Sequence, residues 1–178
     1  MRDLFVQMAS YNTWINAKIY KTAGELSMDE LHADRGAFFG SVHRTLNHIA
    51  VADRIWLRRF AEHPRFGEVL EPVRMLPAPQ SLDEILFADF RKLSEHRAVL
   101  DALIERWAAG LANSDLSQVL CYSNLKGVRT CKRFSAIVLH FFNHQTHHRG
   151  QVTTLLSQVH KDVGVTDLLA LVPDDVEA

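Results

Sequence analysis

Several things that this sequence has little of each remove a class of function. Lys and Arg total 20 against 21 Asp and Glu, for a formal net charge of -1. That balance supplies no broad basic surface for the phosphate contacts that drive nucleic-acid affinity, so nucleic acid is not an expected partner. No apolar run approaches the roughly 18 residues that a membrane span needs, and no basic start leads into an apolar core and a cleavage site. A cytoplasmic protein without membrane segments is expected. Cysteine is confined to Cys121 and Cys131. The two lie equally far from Lys126, in a segment that could be a hairpin turning near Lys126 and Gly127, where they would face each other. A single pair in a chain with a sufficient core and no export signal nevertheless favours two reduced thiols, and no activating base lies beside either one.

What is present is a chain of 178 residues, 47% hydrophobic, enough to bury the core of a single domain over residues 1–178 without staples. Apolar residues recur with helical spacing from Arg2 to Leu26, through Phe5, Ile15 and Ile19, and again from Ser41 to Phe60. Ser27 with Glu30 forms a capping box for a short segment between them. From Ala61 to Gln80, Pro64, Gly67, Pro72, Pro77 and Pro79 exclude a regular helix, which predicts a long irregular connection crossing the outside of the domain. Ser81 with Glu84 repeats the capping box and predicts a third long helix that Gly110 ends. Leu111 to Lys132 loses the helical period, which suggests a small hairpin. A fourth long helix begins near Phe134 and runs through Val159, and beyond Gly164 a tail with Leu168, Leu169, Leu171 and Val172 is expected to pack back before an acidic finish. The expected fold is all-α: a four-helix bundle with a long irregular connection and a hairpin excursion.

Four of the ten histidines fall between His140 and His148. Residues four apart on a helix are rotated by about 40° and stacked one turn apart, so His140, His144 and His148 form a stripe. Two imidazoles one turn apart can grip a divalent ion, although no Glu stands between them as in the H-E-x-x-H protease pattern. The best-placed third ligand is His48, in the apolar setting of Leu46, Ile49 and Ala52. His43, five residues earlier, points about 140° away. His48, His144 and His148 make a three-nitrogen set that suits zinc and also nickel, iron or copper, with a coordination position open. Either His140 or His147 could replace a neighbour in the stripe, act as a base, or be a surface residue. His32, His43, His63, His96 and His160 are read as ordinary histidines.

The runs Asn143-His144-Gln145-Thr146-His147-His148-Arg149-Gly150-Gln151 and Leu46-Asn47-His48-Ile49-Ala50-Val51-Ala52-Asp53-Arg54-Ile55-Trp56 resemble the DinB/YfiT-like family. Tyr11-Asn12 with Trp14, Arg35 to Phe39 and Thr166 to Leu169 extend the likeness over most of the chain. The resemblance implies a four-helix bundle, often a homodimer, with a divalent ion on His48, His144 and His148. Zinc or nickel would be the first choices, with iron, manganese or copper behind them. It further implies a metal-dependent enzyme of the thiol-transferase type acting on a small molecule such as a low-molecular-weight thiol. A metal-dependent hydrolase and a non-catalytic metal-binding stress-response bundle are the alternatives. Around the three histidines, Gln151 and Trp56 are candidates to contact the ligands or line a pocket, and Asp53 to pair with Arg149 or orient an imidazole. A close approach by a helix or ligand would account for Gly150.

Overall fold

The computed structural model describes residues 1–174. They form seven helices and one two-stranded hairpin: α1 (Arg2–Ala23), α2 (Met28–His32), α3 (Val42–Phe60), α4 (Glu71–Arg74), α5 (Phe90–Ala109), α6 (Asn113–Leu116), β1 (Val119–Ser123), β2 (Arg129–Arg133) and α7 (Phe134–Ser157). A 3-10 turn at Leu168–Leu171 follows. The chain is mostly helical, as expected. The long helices α1 and α3 each pack against both α5 and α7. Toward the hairpin end the core is aromatic, with Phe60 stacked on Trp107 at 4.8 Å and edge-on to Phe134 and Phe141.

Helix starts follow local chemistry. Ser41 caps α3 by accepting from the Arg44 amide at 3.2 Å, and the Ser27 and Glu30 box forms on α2. The expected helix start at Ser81 is corrected: α5 begins at Phe90, with Asp89 as its cap. Ser81 instead donates to Asp83 at 2.6 Å, and Glu84 accepts from the Gln80 amide at 2.6 Å. The physical reason lies on α3. The Asn47 side chain accepts from the Phe87 amide at 3.0 Å and donates to the Phe87 carbonyl at 3.2 Å, so that peptide is withdrawn from any helical ladder.

The connection after α3 also differs from expectation. One helical turn, α4, forms with Pro72 near its start, where the missing N–H carries no penalty. Phe66, Leu70 and Val73 are buried, so the segment contributes to the core rather than only crossing its outside. Arg58 fastens it by donating to the carbonyls of Val73, Arg74 and Leu76 at 3.1, 2.8 and 2.9 Å. The tail returns to α1, as expected, but its leucines do not hold it there. None of Leu168–Leu171 is buried, and polar bonds hold the segment instead: the Tyr11 hydroxyl donates to the Thr166 carbonyl at 2.6 Å, and Lys18 donates to the Val165 carbonyl. The last four residues of the acidic finish, 175–178, lie outside the described residues.

In the hairpin, Cys121 pairs with Cys131 in register and the two are joined by a disulfide. The expectation of reduced thiols is therefore corrected. Equal distance from the turn places the two side chains directly opposite on one face, and cross-strand neighbours of that kind are within bonding reach. Gly127 supplies the positive φ of 77° that the turn requires. The Asn124 side chain accepts from the Lys126 and Val128 amides at 2.9 and 3.0 Å, which fixes the tip.

A layer of buried polar groups runs through the middle of the helices. Arg97 on α5 pairs with Asp53 on α3 and, at 2.9 Å, with Asp101. Asn12 and Asn16 on α1 donate to Asp101 at 2.7 and 2.9 Å. Gln145 on α7 donates to both oxygens of Asp53 at 3.0 Å, and Arg149 donates to Asn12. Burial raises the Asp53 pKa against the pull of Arg97, and it raises that of Asp101 to about 6. Two outcomes follow from this construction. Thiol titration of the unfolded, unreduced protein gives no free thiol, and reduction lowers stability by about 2–3 kcal/mol for a loop with a sequence separation of 10 residues. Arg97→Met strands two buried carboxylates and lowers the free energy of unfolding in urea by roughly 3–5 kcal/mol.

Candidate metal centre

Helix α3 presents His48 and helix α7 presents His144 and His148, one turn apart, to a common point. The Nε2 atoms of His48 and His144 are 3.3 Å apart, those of His48 and His148 3.2 Å, and those of His144 and His148 3.1 Å. Donors at a metal–nitrogen distance of about 2.0–2.1 Å lie roughly 3.3 Å apart at tetrahedral angles and roughly 3.0 Å apart at octahedral ones, so the observed triangle fits a divalent ion in either geometry. These are the described residues whose ligand atoms cluster closely enough to hold an ion.

The outer ring nitrogens set the orientation. His48 Nδ1 donates to the Leu82 carbonyl at 2.7 Å, and His148 Nδ1 donates to Gln151 Oε1 at 2.8 Å. Carbonyl acceptors on Nδ1 select the tautomer whose unprotonated Nε2 faces inward. The Phe39 ring stacks on His48 at 3.9 Å and meets His148 edge-on, closing that side to water. Burial pushes the His144 pKa down to about 3, helped by His148 and His48. His48 and His148 are likewise lowered by burial, against the opposing hydrogen bonds to Leu82 and Gln151. Three neutral imidazoles with converging lone pairs repel one another, and a cation at their centre relieves that repulsion.

On the open side lies a cavity of about 450 Å³, lined by His48, His144, His140, Trp56, Arg59 and the hairpin tip. Trp56 and His140 thus stand at the cavity wall, their rings 5.2 Å apart. His147 lies in a separate groove with Gly150 and the Arg35–Phe38 segment, its Nε2 3.3 Å from the Gln151 amide. Asp53 neither orients an imidazole nor bonds Arg149, since its oxygens are taken by Arg97 and Gln145. Gly150 has nothing within 4 Å of where a Cβ would stand, so close approach does not explain it. His43 lies apart from the three, against the His32 ring at 4.2 Å.

Four contributors escaped sequence reasoning. The Leu82 carbonyl belongs to the main chain and leaves no side-chain signal. Phe39 is visible only as an aromatic between Gly36 and Gly40. Gln145 and Arg97 could have been found, because amide and charged groups on the buried faces of amphipathic helices imply buried partners.

A mostly helical chain with three converging histidines on two of its long helices defines the class as a helical protein with a site able to hold a divalent metal. The sequence matches the DinB family across residues 1–173, and the chain belongs to that family. Protein DinB of Bacillus subtilis (strain 168) is 26% identical over 159 residues, which is 89% of this chain and 87% of that protein. No helix among the described residues is long and apolar enough to cross a membrane.

A buried histidine on α5 yields a pH prediction. His96 on α5 sits 4.9 Å from the ring of Phe87, in the segment that Asn47 pins, and burial, with Arg54 and Arg97, lowers its pKa from 6.5 to about 4. Between those two values the unfolded chain binds a proton that the folded chain refuses, so stability falls as pH drops through the window. In urea unfolding followed against pH, His96→Leu should show a shallower acid-side slope than the parent protein over that range.

Proposed function

We propose that His48, His144 and His148 hold one divalent ion with a coordination position facing the cavity, and that the protein is a metal-dependent enzyme of the thiol-transferase type built on a four-helix bundle. The convergence of three Nε2 atoms within 3.3 Å, with two Nδ1 atoms committed to outward acceptors, supports the metal part of this reading, and the resemblance to the DinB/YfiT-like family supports the transferase part. An all-imidazole set suits zinc and nickel, and also iron and copper. A Lewis acid bound there lowers the pKa of a thiol or water toward neutrality.

The chain's own residues supply the rest. Leu82 and Gln151 hold two of the imidazoles in register, and Phe39 excludes water behind them. Trp56 and Ile55 give the cavity an apolar wall against which the body of a small substrate packs. A hydrolase is the second reading. It is favoured by His140, a potential base at the cavity wall whose ring lies 5.9 Å from that of His144.

Protein purified without a histidine tag should carry close to one divalent ion per chain by elemental analysis. His48→Ala, His144→Ala and His148→Ala should each lose it, and Gln151→Ala should weaken affinity by about 10-fold or more. Full occupancy in the three histidine variants would overturn the assignment. Metal-dependent turnover of a thiol acceptor pair, set against turnover of an ester panel, separates transferase from hydrolase.

A further inference from the structure

The cavity beside the three histidines has an uneven charge. Its lining includes two cationic side chains, Arg59 and Lys126, and no carboxylate, while Ile55, Trp56 and Leu125 supply apolar surface. Neither cation belongs to an ion pair among the described residues. The Arg59 side chain is positioned by the fold, and Lys126 is carried at the cavity rim by the backbone of the hairpin tip.

The Arg59 guanidinium lies over Trp56 at 4.5 Å and over Tyr122 at 4.6 Å, and one Nη donates to the Ser123 carbonyl at 3.1 Å. That grip holds its plane still and leaves other N–H groups uncommitted. Lys126 is carried on the hairpin tip, whose turn is closed by two amide bonds to Asn124 and whose strands are joined at Cys121 and Cys131. A pre-placed guanidinium, with an ammonium at the rim and an apolar wall beside it, forms the complement of an organic anion, because a planar guanidinium matches carboxylate and phosphate oxygens and the wall shields the pairing from water.

We propose that this cavity selects small organic anions: an apolar or aromatic body rests on Trp56, Ile55 and Leu125, a carboxylate or phosphate is bound by Arg59 and Lys126, and the opposite end of the molecule reaches His48 and His144. The proposal rests on the proposed function for what happens at that end, and adds the substrate class. Arg59 and Lys126 act in binding and specificity.

Calorimetric titration of the purified protein, at measured metal content, with 4-mercaptobenzoate and with its neutral analogue 4-mercaptobenzamide provides the test. The carboxylate should bind about 10-fold more tightly than the amide. Lys126→Gln, at an exposed tip, should reduce that preference by about threefold without changing the melting temperature. The double variant with Arg59→Gln should abolish the preference. Equal affinity of the two probes for the parent protein overturns the proposal. So does a carboxylate preference that survives in the double variant, which would place the carboxylate on the metal instead. Stoichiometric metal with no preference defeats this inference alone, whereas a preference intact in protein that takes up no metal defeats only the metal reading.

Discussion

The buried charge layer of Asp53, Arg97, Asp101 and Arg149 is the constraint on which the rest of the structure depends. Two carboxylates and two guanidiniums lie almost wholly out of water, and each must find an opposite charge or an amide, since an ion left alone at that depth costs several kcal/mol. Their partners come from all four long helices: Asn12 and Asn16 on α1, Asp53 on α3, Arg97 and Asp101 on α5, and Gln145 and Arg149 on α7. A slide of any one helix along its neighbour breaks bonds that water cannot replace. Apolar packing alone would tolerate such a slide far better.

The register so imposed is also what assembles the site. Successive helical residues turn by about 100°, so with Gln145 and Arg149 directed into the charge layer, His144 and His148 emerge together on an adjoining face. His48 precedes Asp53 by little more than one turn on α3, and the bond from Gln145 to Asp53 brings that stretch of α3 opposite the two histidines. The three-histidine geometry and the structural ion layer are two faces of the same pair of helix segments. A perturbation of Asp53 or Gln145 therefore reaches the imidazoles without touching them.

A second set of contacts works from outside. Asn47, adjacent to His48, brackets the Phe87 peptide, and His48 itself takes the Leu82 carbonyl. The segment from Leu82 to Phe87, a turn followed by irregular backbone, is thereby held against α3, and that non-helical path is what presents a carbonyl to the ring. This explains why the capping pattern at Ser81 and Glu84 yields no helix. A local preference worth roughly 1 kcal/mol was outweighed by three tertiary hydrogen bonds. The hairpin plays a comparable part on the open side, where its tip completes the cavity wall.

By itself the sequence determined the long helices, because an apolar period of 3.6 depends only on which residues follow one another, and the same period put His144 and His148 on one face. It also determined the turn at Gly127, and Ser41, Ser27 and Gly110 as helix ends, since capping is local chemistry. Tertiary structure decided what rests on meetings between distant segments. It chose Asp53 as a partner of Arg97 and Gln145 rather than of an imidazole or Arg149, and drew Phe66, Leu70 and Val73 into the core. It also placed Leu82 and Phe39 around His48. Such pairings depend on distances through space, and residue order along the chain carries no direct record of them.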